Sequence, residues 1–365
     1  MYKVMETMLA YITRVRRKLH RCPEPAFCEL ETQKAVEAEL AALNIPFREI
    51  GTGIVADLDL GKERRLAFRS DMDALPVTER TGAEYASERP GFMHACGHDG
   101  HMALLLGFAK SCAENPSGIG CNLRFIFQPA EEGEGGARNM IAGGALEGVD
   151  EIYAVHLDPS LDPGKLGLCY GASMAGDFEF DVNFTGESAH CAEKSKGKDA
   201  LAAACEFALS FSELVGKGDS LLHAGKLTGG VARNVVAERA KLECTMRFFE
   251  EKERDRLLRL MKYQLGYLSD RYGVKGEIEK VTEYIPLKNT RSCVDKLKAV
   301  SDWVPQKRKY LGEDFAFYLA ECRGAHGWLG VKRSPETKLH AADFDFEEQS
   351  LLAGIEIYRK LVEND

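Results

Sequence analysis

The 365-residue sequence has no run of about 18 or more apolar residues, which excludes a membrane-spanning helix. It has no surplus of basic residues either. Lys and Arg number 48 against 57 Asp and Glu, a net charge of −9, and an acidic balance disfavours nucleic acid as a partner. Paired cysteines are lacking: the eleven present are an odd number, scattered without paired spacing, which is the pattern of reduced thiols and not of a disulfide framework. The first residues lack the apolar core of a signal peptide, because Glu6 interrupts it. They read instead as an amphipathic helix, and a cytoplasmic location is expected. Repeats and low-complexity tracts are also missing. What is present is a globular composition, 45% hydrophobic and 29% charged, too apolar for a disordered chain. At roughly 150 residues per domain, the length suggests two domains, each able to bury a core.

Up to about Gly171, helical patterns alternate with short apolar runs, the signature of an α/β domain with a mostly parallel sheet. Strands are expected at 54–58, 65–69, 122–128 and 151–155, and helices at 5–21, 29–43 and 98–113. From about 173 to 282 the texture changes. DFEFDVNF alternates, a helical stretch covers 197–215, 235–249 alternates again, and a charged helix fills 250–272. Two strand pairs, each joined to a helix, fit an inserted α+β module. The α/β texture then returns, so the expectation is one discontinuous domain, 1–172 with 283–365, interrupted by 173–282.

Several expected strands run straight into polar residues. Arg65–Arg69 leads into SDMDALP, Asn122–Gln128 into PAEEGEGG, and the strand at 151–155 into His156. Ligands of open α/β sheets bind beyond the carboxyl ends of the strands, so these segments would deliver Asp, Glu and His to one edge. HACGHDGH at 94–101 sets Cys96 and His98 two apart at a loop-to-helix junction, where thiolate and imidazole can aim at one ion. By itself that octapeptide fits equally a buried cysteine and a helix-start histidine satisfied by backbone groups. Glu131 and Glu132 repel each other unless a cation compensates them; one can then ligate while the other serves as a general base. In isolation the pair reads as an exposed acidic turn. With His156 and His340 added, Cys96, His98 and Glu132 make five ligand-type residues near strand ends, more than a closed structural zinc site takes and suited to two ions sharing a bridge. The glycines at 133–136 lack the Lys-Ser/Thr ending of a phosphate loop, so nucleotide binding is not expected.

The stretches FRSDMDALP, HACGHDGH, FIFQPAEEGEGGARNMI, AVHL, GEDFAFY and LHAADFDF, in this order, resemble the dinuclear metallopeptidases of the aminoacylase and carboxypeptidase G family. The likeness is greatest to its amidohydrolase branch of auxin-conjugate hydrolases, hippurate hydrolases and N-acyl-amino-acid deacylases. The resemblance implies a zinc-peptidase-like catalytic domain with an inserted lid and dimerisation domain. It implies Cys96 as a metal-bridging ligand, His98, Glu132, His156 and His340 as the remaining ligands, and Glu131 as the base. Asp71 and Asp73 would support these ligands without binding metal. In the inserted module, His190 of GESAHC would stabilise the oxyanion, acting across a homodimer, while Asn234 and Arg247 would bind the substrate carboxylate; Ala237 stands where the family motif has Pro. The expected cofactors are two divalent ions, Zn, Mn, Co or Ni. The expected activity is hydrolysis of the amide bond of N-acyl amino acids or related small conjugates, with a dipeptidase or an N-acetyl-diaminopimelate deacetylase as the alternative. A non-catalytic ligand-binding protein is the alternative of another class.

Overall fold

The structure, a computed structural model, describes residues 2–133 and 135–365. In chain order it opens with helices α1 (Tyr2–His20) and α2 (Leu30–Ala42). Strands β1 (Phe47–Ile50), β2 (Gly53–Leu58) and β3 (Arg65–Asp71), helix α3 (His98–Glu114), strand β4 (Asn122–Gln128), helix α4 (Gly136–Ala142) and strands β5 (Glu151–Asp158) and β6 (Lys165–Leu168) follow. The middle of the chain holds β7 (Gly171–Met174), β8 (Gly176–Thr185), α5 (Ala200–Leu209), α6 (Phe211–Val215), β9 (Leu221–Gly229), β10 (Arg239–Phe248), α7 (Glu251–Tyr272) and β11 (Lys275–Tyr284). The last elements are β12 (Leu287–Asn289), α8 (Arg291–Val300), β13 (Asp302–Pro305), α9 (Phe315–Glu321), β14 (Arg323–Gly330) and α10 (Leu351–Glu363). Two compact units result: 1–171 with 288–307 and 314–365, and 172–287 with 308–313.

The first unit is a mixed α/β body around an eight-stranded sheet ordered β1-β2-β4-β3-β5-β14-β6-β13. Its centre is parallel, β3 pairing with β4 and β5, and β5 with β14. Strands β3, β4 and β5 are buried almost end to end, as near-continuous apolar sequences require when helices cover both faces. Helix α3 packs against α1, α10 and β3, and the Phe68 ring centroid lies 4.7 Å from those of both Phe108 and Tyr358. A side chain buried like Phe68 contributes about 1.5–3 kcal/mol. Because β3, β4 and β5 run the same way, their carboxyl ends share one edge; Asp71 and Gln128 face each other in register there.

The second unit is a four-stranded antiparallel sheet ordered β11-β8-β10-β9, with α5 and α7 on one face. Alternation on β8 turns Phe178, Phe180, Val182 and Phe184 inward, and β10 adds Leu242, Cys244, Met246 and Phe248. Leu257, Met261, Leu265 and Leu268 of α7 recur at helical spacing and close the core. The other sheet face carries charge pairs such as Lys241 with Asp181 at 2.6 Å.

Residues 283–287 and 308–313 cluster with this unit, whereas sequence texture alone placed them with the first. The ladder of β11 against β8 continues to Tyr284 opposite Asp177, and Ala175 donates its amide toward the carbonyls of Lys309 and Leu311 at 3.0 and 3.1 Å. The helical stretch expected at 197–215 is divided into α5 and α6 at Ser210. Strand β9 has no clear alternation because it is a sheet edge, exposed over most of its length.

Candidate metal centre

The first unit assembles the candidate ligands at the shared sheet edge. Gly97, with a φ of +88°, lets the chain turn sharply into α3, with Cys96 just before the turn and His98 as the first helical residue. His98 donates from Nδ1 to the Asp73 carbonyl at 2.8 Å, which leaves Nε2 aimed into a cup. His156, near the end of β5, donates from Nδ1 to the Leu157 carbonyl at 2.8 Å, and its Nε2 stands 3.2 Å from Cys96 Sγ. His340 is brought in by its amide, which bonds the Ala95 carbonyl at 2.8 Å; its Nε2 lies 3.3 Å from Cys96 Sγ and 3.3 Å from Glu132 Oε1. Asp73 accepts the amides of Glu131 and Glu132, one on each carboxylate oxygen, at 3.0 Å. This holds the two glutamates with oxygens 4.0 and 3.9 Å from His98 Nε2. Among the described residues two groups of three share Cys96, one with His98 and His156 and one with Glu132 and His340, and His98 also groups with Glu131 and Glu132 and with Asp71 and His101; within each, the ligand atoms lie within 4.8 Å of one another.

The donor set fits a pair of divalent cations sharing the sulfur. His98 Nε2 and Glu132 Oε1 are buried atoms without a hydrogen-bond partner, a costly condition that a coordinated ion removes. Burial, with Glu132, Glu131 and Asp71 nearby, pushes the Cys96 thiol well above its usual range, so the protein alone disfavours the thiolate and a cation would reverse that. Burial and the neighbouring His101 keep His156 well below the usual histidine range, hence neutral, as a ligand must be. Although burial opposes charge on His98, Asp71 and Asp73 raise it to about 10, which marks the cup as a place that attracts positive charge. Thiolate, imidazole and carboxylate together suit borderline transition metals.

Asp71, with Oδ2 3.8 Å from His98 Nε2, is engaged by other partners. It accepts from His101 Nδ1 at 2.5 Å and from Arg69 at 2.8 Å, and since Leu157 donates its amide to His101 Nε2 at 3.0 Å, the His101 proton sits on Nδ1. Arg69 continues the network to Gln128 and to Asp314, both at 2.8 Å. Behind α3, Asp99 accepts from Arg16 at 2.7 Å and pairs with His20 at 2.8 Å. Sequence reasoning named no role for Arg69, Gln128, Asp314, Arg16 or Asp99. A signal existed for Arg16, a charge on the apolar stripe of Ile12, Val15 and Leu19 in an amphipathic helix.

In the second unit, His190 and Asn234 come together through the backbone: Cys191 donates its amide to the Asn234 carbonyl at 2.9 Å, and His190 bridges to Val235. Both side chains are exposed, and His190 Nδ1 accepts the Ala192 amide at 3.2 Å. A groove of about 580 Å³ opens beside them, lined in part by Ser188, Thr228, Val235 and Arg239. Arg247 is not brought to this place. It lies at the far end of β10, eight residues or roughly 26 Å of extended strand from Arg239, with its guanidinium already paired to Asp177. A guanidinium neutralised in this way does not offer the open fork expected of a carboxylate anchor.

Comparison with known proteins agrees with the site. The family model of peptidase family M20/M25/M40 matches residues 67–364. An N-acetyldiaminopimelate deacetylase of Lactobacillus helveticus is 32% identical, covering 94% of each chain. One of Listeria monocytogenes is 30% identical over 98% of this chain and 100% of its own. The solved structure of the Bacillus subtilis YXEP protein, described as a dinuclear metal binding peptidase of the M20 family, superposes with a TM-score of 0.90 at 27% identity, covering 98% of both chains. A match over most of the chain, together with the paired ligand groups, places this protein in peptidase family M20/M25/M40, as a dinuclear metal-dependent hydrolase of amide C–N bonds.

Proposed function

We propose that the protein removes the acyl group from an N-acylated amino acid, and that N-acetyl-diaminopimelate is its substrate. The observation that carries the chemistry is the sharing of Cys96 by two ligand groups with Glu131 beside them; relatives of that activity along nearly the full length support the substrate. Cys96, His98 and His156 would hold one ion, and Cys96, Glu132 and His340 the other. Bound there, two such ions supply Lewis acidity that acidifies water and polarises the acyl oxygen. Zn, Mn, Co and Ni all accept this ligand set.

Glu131 takes a proton from the attacking water as the carbon–oxygen bond forms, then returns it to the amine as the carbon–nitrogen bond breaks. Asp73 keeps Glu131 and Glu132 in fixed relation through their amides, so one carboxylate ligates while the other stays a base. His190 would donate a hydrogen bond to the developing oxyanion, and Asn234 beside it would hold the carboxylate of the amino acid. Exposure of both side chains supports their service to a second copy in a homodimer formed through the inserted unit. Arg247, at the other end of β10 and paired to Asp177, is left out of this carboxylate site. Eleven cysteines with no disulfide among the described residues support a reducing, cytoplasmic setting.

The test is a panel of N-acetyl-diaminopimelate, other N-acetyl and N-benzoyl amino acids and dipeptides, followed by release of free amine. The expected result is fastest turnover of N-acetyl-diaminopimelate and a fall of about 10²–10⁴-fold in kcat for Glu131→Gln at unchanged metal content. Preference for dipeptides would overturn the substrate, and near-wild-type turnover by Glu131→Gln would overturn the base.

A further inference from the structure

Glu29 stands outside everything described so far. It lies in the segment before α2 and is fully buried. One of its oxygens, Oε1, accepts two backbone amides, Phe27 at 3.0 Å and Ala130 at 2.9 Å, while Oε2 accepts the Thr52 hydroxyl at 2.6 Å. Phe27 and Ala130 share a rare property. Among the described residues only Phe27, Asn44, Ala130 and His340 are non-glycines with positive φ, at 58°, 54°, 55° and 63°. One carboxyl oxygen therefore bonds the amides of two of the four.

Ala130 immediately precedes the glutamate pair, and its left-handed backbone sets the direction in which the chain leaves β4 toward Glu131 and Glu132. A left-handed alanine is disfavoured by roughly 1–2 kcal/mol, so it persists only where its surroundings impose it. Gly136 closes the loop from the other side: its amide bonds the Ala130 carbonyl at 2.9 Å, and a Cβ there would fall 1.8 Å from the Pro129 carbonyl oxygen. The loop is thus a small closed ring whose strained member is held by a charged acceptor 101 residues away in sequence.

We propose that Glu29 is a positioning residue for the reaction, acting through Ala130: it fixes the left-handed conformation that aims Glu131 and Glu132 into the cup. This rests on the assignment of Glu131 as base and Glu132 as ligand, but not on the identity of the substrate. Removal of the carboxylate frees Ala130 to relax toward ordinary backbone, which swings both glutamates together; metal retention and turnover then fall as one. Gln at position 29 keeps an oxygen for both amides and preserves the geometry.

The experiment follows loss of metal from the two-metal holoprotein to excess chelator, beside kcat, KM and thermal unfolding. Glu29→Ala is expected to speed metal loss and lower kcat, each by about 10–100-fold, the range seen when a partner supporting a metal ligand is removed. KM should stay within about threefold, and Glu29→Gln should restore both quantities to near wild type. Ala130→Gly, which abolishes the penalty on left-handed backbone, should recover roughly five- to tenfold of both losses in the Glu29→Ala background. Should Glu29→Ala not fold, Glu29→Asp, one methylene shorter and still charged, gives the same readouts in the same direction. A variant that lowers only the unfolding temperature, with metal loss and kcat unchanged, overturns the proposal. So does a failure of Ala130→Gly to recover either quantity. Because metal loss involves no substrate, a wrong substrate assignment leaves this readout intact.

Discussion

In the second unit, the face shared by β8, β10, α5 and α7 is built of Phe, Leu, Val, Ala, Met and Cys244, and buried charge among the described residues of the unit is confined to Glu313. The first unit has a larger apolar core, yet it also buries Arg16, Glu29, Arg69, Asp71, Asp73, His98, Asp99 and Asp314. The difference teaches where the chemistry lies. Each buried charge is an expense that apolar packing would avoid; those named gather mostly at or just behind the carboxyl ends of β3, β4 and β5 or the start of α3, while Arg124 and Glu151 are buried toward the amino ends of β4 and β5. The first unit keeps a fixed electrostatic frame there, and the second keeps its charges on the solvated face.

The largest effect should come from cutting that frame. Arg69→Ala removes the cation shared by the buried carboxylates Asp71 and Asp314, leaving Asp71 to His101 and Asp314 to Gln128 and the Ala137 amide, and should cost about 3–5 kcal/mol of stability by chemical denaturation. A loss below about 1 kcal/mol would show that the buried network is dispensable and erase the contrast.

A smaller effect is expected from pH. His20 is opposed by burial but held by Asp99 and Glu79, and is raised from 6.5 to about 9. A raised histidine stabilises fully below its unfolded value. Stability should therefore be highest below pH 6.5 and decline as pH rises through about 9, by about 1.5–3 kcal/mol for hydrogen bonds to a charged group. Glu79, lowered to about 2 against burial by His20 and Thr81, sets the opposite limit, its contribution being complete above 4.5 and lost as pH falls through 2. His20→Gln should flatten the alkaline decline in thermal unfolding; an unchanged slope would remove His20 from the account.

The smallest effect belongs to the second unit. Arg247→Ala breaks the part-buried pair with Asp177 and the hydrogen bond to Thr245, and should cost about 0.5–1.5 kcal/mol. A cost near that of Arg69→Ala would mean that the second unit also depends on internal charge.

Which parts of this were legible in the sequence follows from the range of the interactions. The strands of the first sheet show as apolar runs ending in polar residues, and the edge where Cys96, His98, Glu132, His156 and His340 meet follows from the parallel direction of those runs. The support was illegible because its bonds span great separations: Arg69 reaches Asp314 across 245 residues and Glu29 reaches Ala130 across 101. Glu29 reads as one more charge ahead of a helix. The conformation of Ala130 leaves no trace in composition, since a left-handed turn announces itself only when glycine fills it. Strand β9 was obscure for a different reason: it is an edge on which only Leu222 and Ala224 turn toward the core, too short an alternation to read.

The central claim is that two divalent ions share the sulfur of Cys96, and anomalous diffraction from crystals grown with zinc tests it most directly. The account predicts two peaks, each about 2.3 Å from Cys96 Sγ, one also bound by His98 and His156 and the other by Glu132 and His340. A single peak at full occupancy, or a pair of peaks with Cys96 bound to neither, would contradict it.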